Sequence, residues 1–211
     1  MKKYIKFIVI FYISVSIGQS EGFTPEYLLA RTQEFIKNEE WDKAKKTIDT
    51  LMYLIPDNDK LYFNRGFALQ KDSKYQESIS DFTKVISLNP ELKNVRTSRA
   101  LSYQNLGEYE NAIADITGEI EINPNPYSYE HRAYAYYLMK NYDKAMEDIN
   151  IAIKNAPQYS ISYKTRAQIY NATGFKEKAC QDKEIAIQLN IIAMYPRYTK
   201  DIENLNDYCS K

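Results

Sequence analysis

The sequence predicts an all-α solenoid: five helical hairpins stacked in a row and closed by a capping helix. Three observations carry this reading. Prolines at 56, 90, 124 and 157 mark a period of 34, 34 and then 33 residues. Ahead of them Tyr75–Pro90, Tyr109–Pro124 and Tyr142–Pro157 align in register, each with an aromatic residue, a small residue three later and an Asp three after that. Trp41–Pro56 is a further copy without the Asp. Within the units, apolar residues recur at helical spacing on both sides of a short polar turn. A fixed period of this size marks a repeat array, in which each unit buries its apolar face only against its neighbours.

Taken in order, residues 1–18 read as a secretory signal peptide. Lys2, Lys3 and Lys6 precede an apolar run from Phe7 to Ile17, and small residues follow, with the cut expected after Gly18. The run is shorter than the roughly 20 apolar residues that cross a bilayer, so an uncleaved anchor is the weaker reading. No cysteine near the cut offers a lipid anchor. Residues 19–24 form a linker. Removing three lysines from 28 basic residues leaves 25 against 28 acidic ones, a mildly acidic mature chain without the basic footprint of a nucleic-acid binder. Hydrophobic content of 44% with 27% charged residues suits a soluble folded chain, and the 20 tyrosines read as compositional bias.

The array is expected over residues 25–190, with units at about 25–58, 59–92, 93–125, 126–159 and 160–190. In unit two, Leu61, Tyr62, Arg65, Gly66, Leu69 and Gln70 share helical spacing, and Lys71–Lys74 makes the turn. A second amphipathic helix then runs from Tyr75 to about Leu88. Asn89-Pro90 closes it, because the residue before proline is pushed out of helical geometry. Gly107 and Gly174 fall at the turns of their units, where a helix C-terminus favours positive φ. From 191 the pattern changes. Pro196 can open a helix, and Ile202, Leu205 and Tyr208 give it one apolar stripe, as a terminal cap with a polar outer face requires.

Counting exposes a second regularity. Arg65, Arg99, Arg132 and Arg166 are followed sixteen residues later by Asp81, Asp115, Asp148 and Asp182. Within a helical hairpin this spacing places the two side chains on facing helices, so four intra-hairpin ion pairs are expected as braces. Unit one has Arg31 but Thr47, and lacks the pair. Cys180 and Cys209 lie about equally far from the turn before Pro196. In an exported chain they read as a disulfide locking the cap, with two buried thiols or a redox pair as the alternatives.

On these residues the units resemble tetratricopeptide repeats. Tyr62, Arg65, Gly66, Leu69, Ser78, Phe82 and Pro90 occupy the family's pattern positions in unit two. Arg96, Arg99, Ala100, Tyr103, Ala112, Ile116 and Pro124 do so in unit three, and Tyr129, Arg132, Ala133, Tyr136, Ala145, Ile149 and Pro157 in unit four. Unit one matches more weakly. Unit five has Lys183 where a large apolar residue is expected, and no closing proline. The small residues let paired helices approach closely. The resemblance implies a right-handed solenoid whose first helices line a concave groove. Carried onto this chain, it puts Phe63, Asn64, Phe67, Thr97, Leu101, Tyr127, Glu130, His131, Tyr134, Tyr137, Lys164 and Gln168 on that face. Exposed aromatics there suit peptide capture, since they supply contact area at low entropic cost; some of them can instead pack between repeats.

An enzyme is not expected. His131 is the single histidine, the six glycines form no phosphate-cradling loop, and the carboxylates are spread along helix faces. No cofactor or metal is expected either. The chain reads as an exported, periplasmic or secreted, non-enzymatic module that binds a protein or peptide in its concave groove. Two alternatives stand beside this: a scaffold subunit of a cell-envelope assembly, held by its convex face or first unit, and an accessory protein for glycan or small ligands.

Overall fold

The computed structural model describes residues 24–210. The expected signal peptide, and all of the linker but its last residue, lie outside the described residues. Five hairpins follow one another: α1 (Pro25–Lys37) with α2 (Trp41–Leu54), α3 (Asp59–Lys71) with α4 (Tyr75–Leu88), α5 (Val95–Asn105) with α6 (Tyr109–Ile122), α7 (Pro126–Leu138) with α8 (Tyr142–Asn155), and α9 (Ser160–Ala172) with α10 (Lys176–Gln188). A short α11 (Ile191–Met194), a 3-10 turn (Pro196–Tyr198) and α12 (Thr199–Ser210) end the chain. Pro196, expected to open the capping helix, instead opens the tighter turn, and the α-helix proper starts three residues later.

Local chemistry sets the helix boundaries. Side chains of Thr24, Asn58, Asn125 and Asn141 accept the N–H three residues on, at 3.2, 3.3, 3.0 and 3.4 Å, and so satisfy donors that the first turn leaves orphaned. Pro25 and Pro126 stand at the first helical position, where no N–H is needed. α5 lacks a side-chain cap, and Asn94 before it sits at φ +68°. The Glu119 carboxylate takes the Asn94 N–H instead, at 2.7 Å.

All five hairpin turns share one device. Glu39, Ser73, Gly107, Lys140 and Gly174 each take positive φ, between 58° and 82°, and repeat the period of the closing prolines. Each of their N–H groups donates to a carbonyl three residues back, and the next N–H donates five residues back, as in Lys140 to Tyr137 and Asn141 to Tyr136, both 2.9 Å. This is the Schellman closure of a helix C-terminus. Only two of the five positions carry glycine.

The core runs as a strip between first and second helices. Ala100, Ala112, Ala133, Ala145, Ala167 and Ala179 are fully buried at the helix contacts. A Cβ added to Gly66 would stand 3.0 Å from the Phe82 ring, which shows how closely α3 and α4 approach. Ile48, Phe82, Ile116 and Ile149 fill the positions between the small residues. Lys183 takes that place in unit five; it is buried, with its ammonium 2.8 Å from Glu184.

The curvature follows from which helices touch. α3 packs on α5, α5 on α7 and α7 on α9, whereas no second helix among those described packs comparably on the next second helix. First helices therefore form the closely spaced inner layer, and the stack bends toward them. Single polar links tie this layer. Gln70 donates to the Ser98 carbonyl at 2.9 Å, Gln104 to the His131 carbonyl at 3.2 Å, and Thr165 to Glu130 at 2.7 Å.

A non-glycine residue held in left-handed geometry costs about 1 kcal/mol. Lys140 is exposed, so Lys140→Gly should raise stability in urea by a few tenths to about 1 kcal/mol, and Gly107→Lys should lower it by about as much. Urea midpoints at unchanged slope measure both.

Candidate partner-binding surface

The first helices are held in place by a repeated arginine clamp. Nε and Nη2 of Arg65, Arg99, Arg132 and Arg166 donate side by side to both carboxylate oxygens of Asp81, Asp115, Asp148 and Asp182, over 2.6–2.9 Å. The aspartates are buried, and the arginine side chains are mostly so. These carboxylate hydrogen bonds raise each arginine pKa above its ordinary value, against the opposing effect of burial. Each Nη1 then reaches back to the preceding unit: Asp49 at 2.7 Å, Thr83 at 2.8 Å, Thr117 at 3.1 Å and Asn150 at 3.0 Å. One planar fork thus joins both helices of its hairpin to the hairpin before it, a task that suits arginine's fixed donor geometry. In unit one Arg31 pairs within its own helix, with Glu34. The inter-unit acceptors are easy to miss in the sequence, since they are of three residue types.

Most of the groove positions line the inner layer half-buried. Phe63 packs on Phe82 with centroids 5.8 Å apart, and Phe67 meets Trp41 of the preceding unit edge-on at 5.9 Å. Beside Phe63 a depression of about 250 Å³ is lined by Lys60, Asn64, Leu92 and Lys93. Leu101 and Tyr137 are partly exposed on the next first helices, and the Tyr137 ring stacks on Tyr134 at 6.0 Å. Tyr127 is 52% exposed and packs edge-on against Tyr159 at 4.8 Å. Thr97, His131 and Gln168 are partly covered, and the Thr97 hydroxyl and Gln168 carbonyl oxygens are buried without a hydrogen bond in the described structure.

Two expected groove residues are corrected. Glu130 and Lys164 are each only 2% exposed and do not face an open groove. Glu130 is met by α9, whose Thr165 donates to its carboxylate at 2.7 Å, and for Lys164 the physical cause is the cap. α12 packs on α9 as well as on α10, anchored by buried Ile202 and Leu205 and by the Cys180–Cys209 disulfide. The segment leading into it lies over Lys164, whose ammonium sits 4.3 Å from the Tyr198 ring centre, 4.8 Å from that of Tyr134 and 3.7 Å from the Asp201 carboxylate. Burial pushes the Lys164 pKa down, while Glu130 and Asp201 pull it back up. Burial, then the Asp201 charge, pushes the Tyr134 phenol up to about 12, so it stays neutral at physiological pH.

A larger depression, about 480 Å³, lies between α2 and α4 on the side of the second helices. Its charges are largely satisfied internally: Arg65 by Asp81 and Asp49, and Lys45 by Asp42 and Asp72.

The tetratricopeptide repeat family matches residues 59–92, 94–126 and 126–159. With its hairpins, small-residue contacts and inner layer of first helices, the chain carries tetratricopeptide repeats in units two to four and shares their fold throughout the array. Solved structures agree on the fold. A tetratricopeptide repeat protein from Parabacteroides merdae ATCC 43184 is 22% identical, with a TM-score of 0.69 over 100% of this chain and 79% of that one. MamA 41-end from Desulfovibrio magneticus RS-1 is 14% identical, with a TM-score of 0.72 over 81% and 97%. A thermophilic repeat protein of Thermus thermophilus is 13% identical, with a TM-score of 0.69 over 89% and 100%. No curated protein matches the chain in sequence.

Arg132→Ala strands the buried Asp148 and should cost about 3 kcal/mol. Arg132→Met combined with Asp148→Leu leaves no unpaired charge and should cost less. Urea unfolding at pH 7 measures both, and a double variant less stable than the single one would contradict the clamp.

Proposed function

We propose that this chain is a non-enzymatic interaction module that holds an extended segment of a protein partner on the concave face of units two to four. Tetratricopeptide repeats are protein-interaction modules, and the groove is the finer part of the reading. It is supported by one observation: successive first helices carry Phe63, Phe67, Leu101 and Tyr137 half-buried and partly open, with a depression at Phe63 and Asn64. Rings held by packing on one side lose little freedom when a ligand covers the other. Lys60 and Lys93 line this depression with Phe63 and Leu92 and favour a partner with acidic residues beside its apolar ones.

The setting is proposed to be outside the cytoplasm, periplasmic or secreted. Support comes from the charged-then-apolar pattern of residues 1–18 and from the disulfide, a bond that persists in oxidising compartments. No helix among the described residues is long and apolar enough to cross a membrane. A second reading, a scaffold held through units one and two, is favoured by the charged depression between α2 and α4.

Affinity capture from extracts of producing cells separates the two. Wild type should recover a partner that Phe67→Ala/Tyr137→Ala loses at unchanged helical circular dichroism. Equal recovery by both would overturn the groove reading and direct attention to the second helices.

A further inference from the structure

Building on the concave-face reading, we propose that Tyr195–Asp201 is an internal ligand. It occupies, within the same chain, a second peptide site on units four and five, whose ligands present a tyrosine and, three residues later, an acid.

The contacts define the site. Lys164 on α9 and Tyr134 on α7 belong to the inner layer, and both lie outside the segment around Tyr198 and Asp201 that covers Lys164. The covering segment supplies the Tyr198 ring and the Asp201 carboxylate, so Lys164 is held between two aromatic faces with a carboxylate at 3.7 Å. A cation between rings beside an acid is a recognition arrangement whose parts strengthen as water leaves. Glu130 stays behind whether or not the segment is present, and its carboxylate is held by Thr165 at 2.7 Å. Lys164 therefore keeps a compensating charge when the segment leaves. A ring succession from Tyr127 through Tyr159 and Tyr195 to Tyr198, with centroids 4.8–6.5 Å apart, carries the aromatic surface out to solvent.

The segment does not belong to the repeat period. Its last three residues open α12, and Tyr195 and Tyr198 also pack on the core of Ala186, Ile191 and Ile202, so rings, one ion pair and this apolar contact hold it together with the cap. Because it is tethered, it competes at a high effective concentration, and an outside peptide gains access only when the tether or the pairing is weakened.

The test uses the full-length chain. Asp201→Lys sets a like charge against Lys164, and Cys180→Ser with Cys209→Ser frees the far end of α12, leaving the backbone of residues 189–194 as the remaining tether, so the segment should leave its place. The probe is a fluorescein-labelled synthetic peptide of residues 194–203, read by anisotropy, with a second peptide carrying lysine in place of Asp201. The triple variant should bind the first peptide at least tenfold more tightly than wild type does, and the lysine peptide at least tenfold more weakly than the first. Phe67→Ala added to the triple variant should leave this binding unchanged, which separates the site from the groove of units two to four. Absence of saturable binding to a variant with wild-type helical content, or equal binding of the two peptides, would overturn the proposal.

Discussion

A half-buried guanidinium needs acceptors on its covered side, and in this chain two neighbouring helices supply them at once. Each clamp arginine is satisfied by an aspartate on its own hairpin and by an acceptor on the preceding second helix. The bidentate geometry is possible because alanine or glycine at the crossing lets the paired helices close up. Inter-unit spacing is set in turn by the reach of Nη1. Apolar burial drives the stacking, and the inter-unit Nη1 bonds, three of the four at exposed positions, favour one registration of unit on unit by a modest amount.

The proposed function rests on the inner layer that this registration builds. With first helices packed on one another, Phe63, Phe67, Leu101 and Tyr137 stand half-buried along that layer. At the far end the same layer is covered by the chain itself. Lys164 and Glu130, which would be costly to bury alone, are tolerated because Asp201, Tyr198 and Thr165 meet them there. The solenoid therefore has an open stretch and a covered stretch built from the same helices.

How much of this was legible in the sequence depended on repetition. Aligned copies make the period, the hairpins and the sixteen-residue Arg–Asp spacing visible, because the same residue types recur at the same places. The third hydrogen bond of each clamp was not visible, since its acceptor is Asp49, Thr83, Thr117 or Asn150, and geometry rather than residue type defines it. Nor were three of the five positive-φ turns, where Glu39, Ser73 and Lys140 stand in place of glycine. The burial of Lys164 was missed for another reason. What covers it comes from residues outside the period, so no internal comparison could place it.

A partner held as proposed meets the inner face and not the outer one. Site-specific photocrosslinking in producing cells tests this directly, with the reactive residue placed at Phe67 and Leu101 on first helices or at Glu77 and Glu147, exposed on second helices. Crosslinked adducts from the first pair and none from the second is the predicted result. Adducts confined to Glu77 and Glu147 would contradict it.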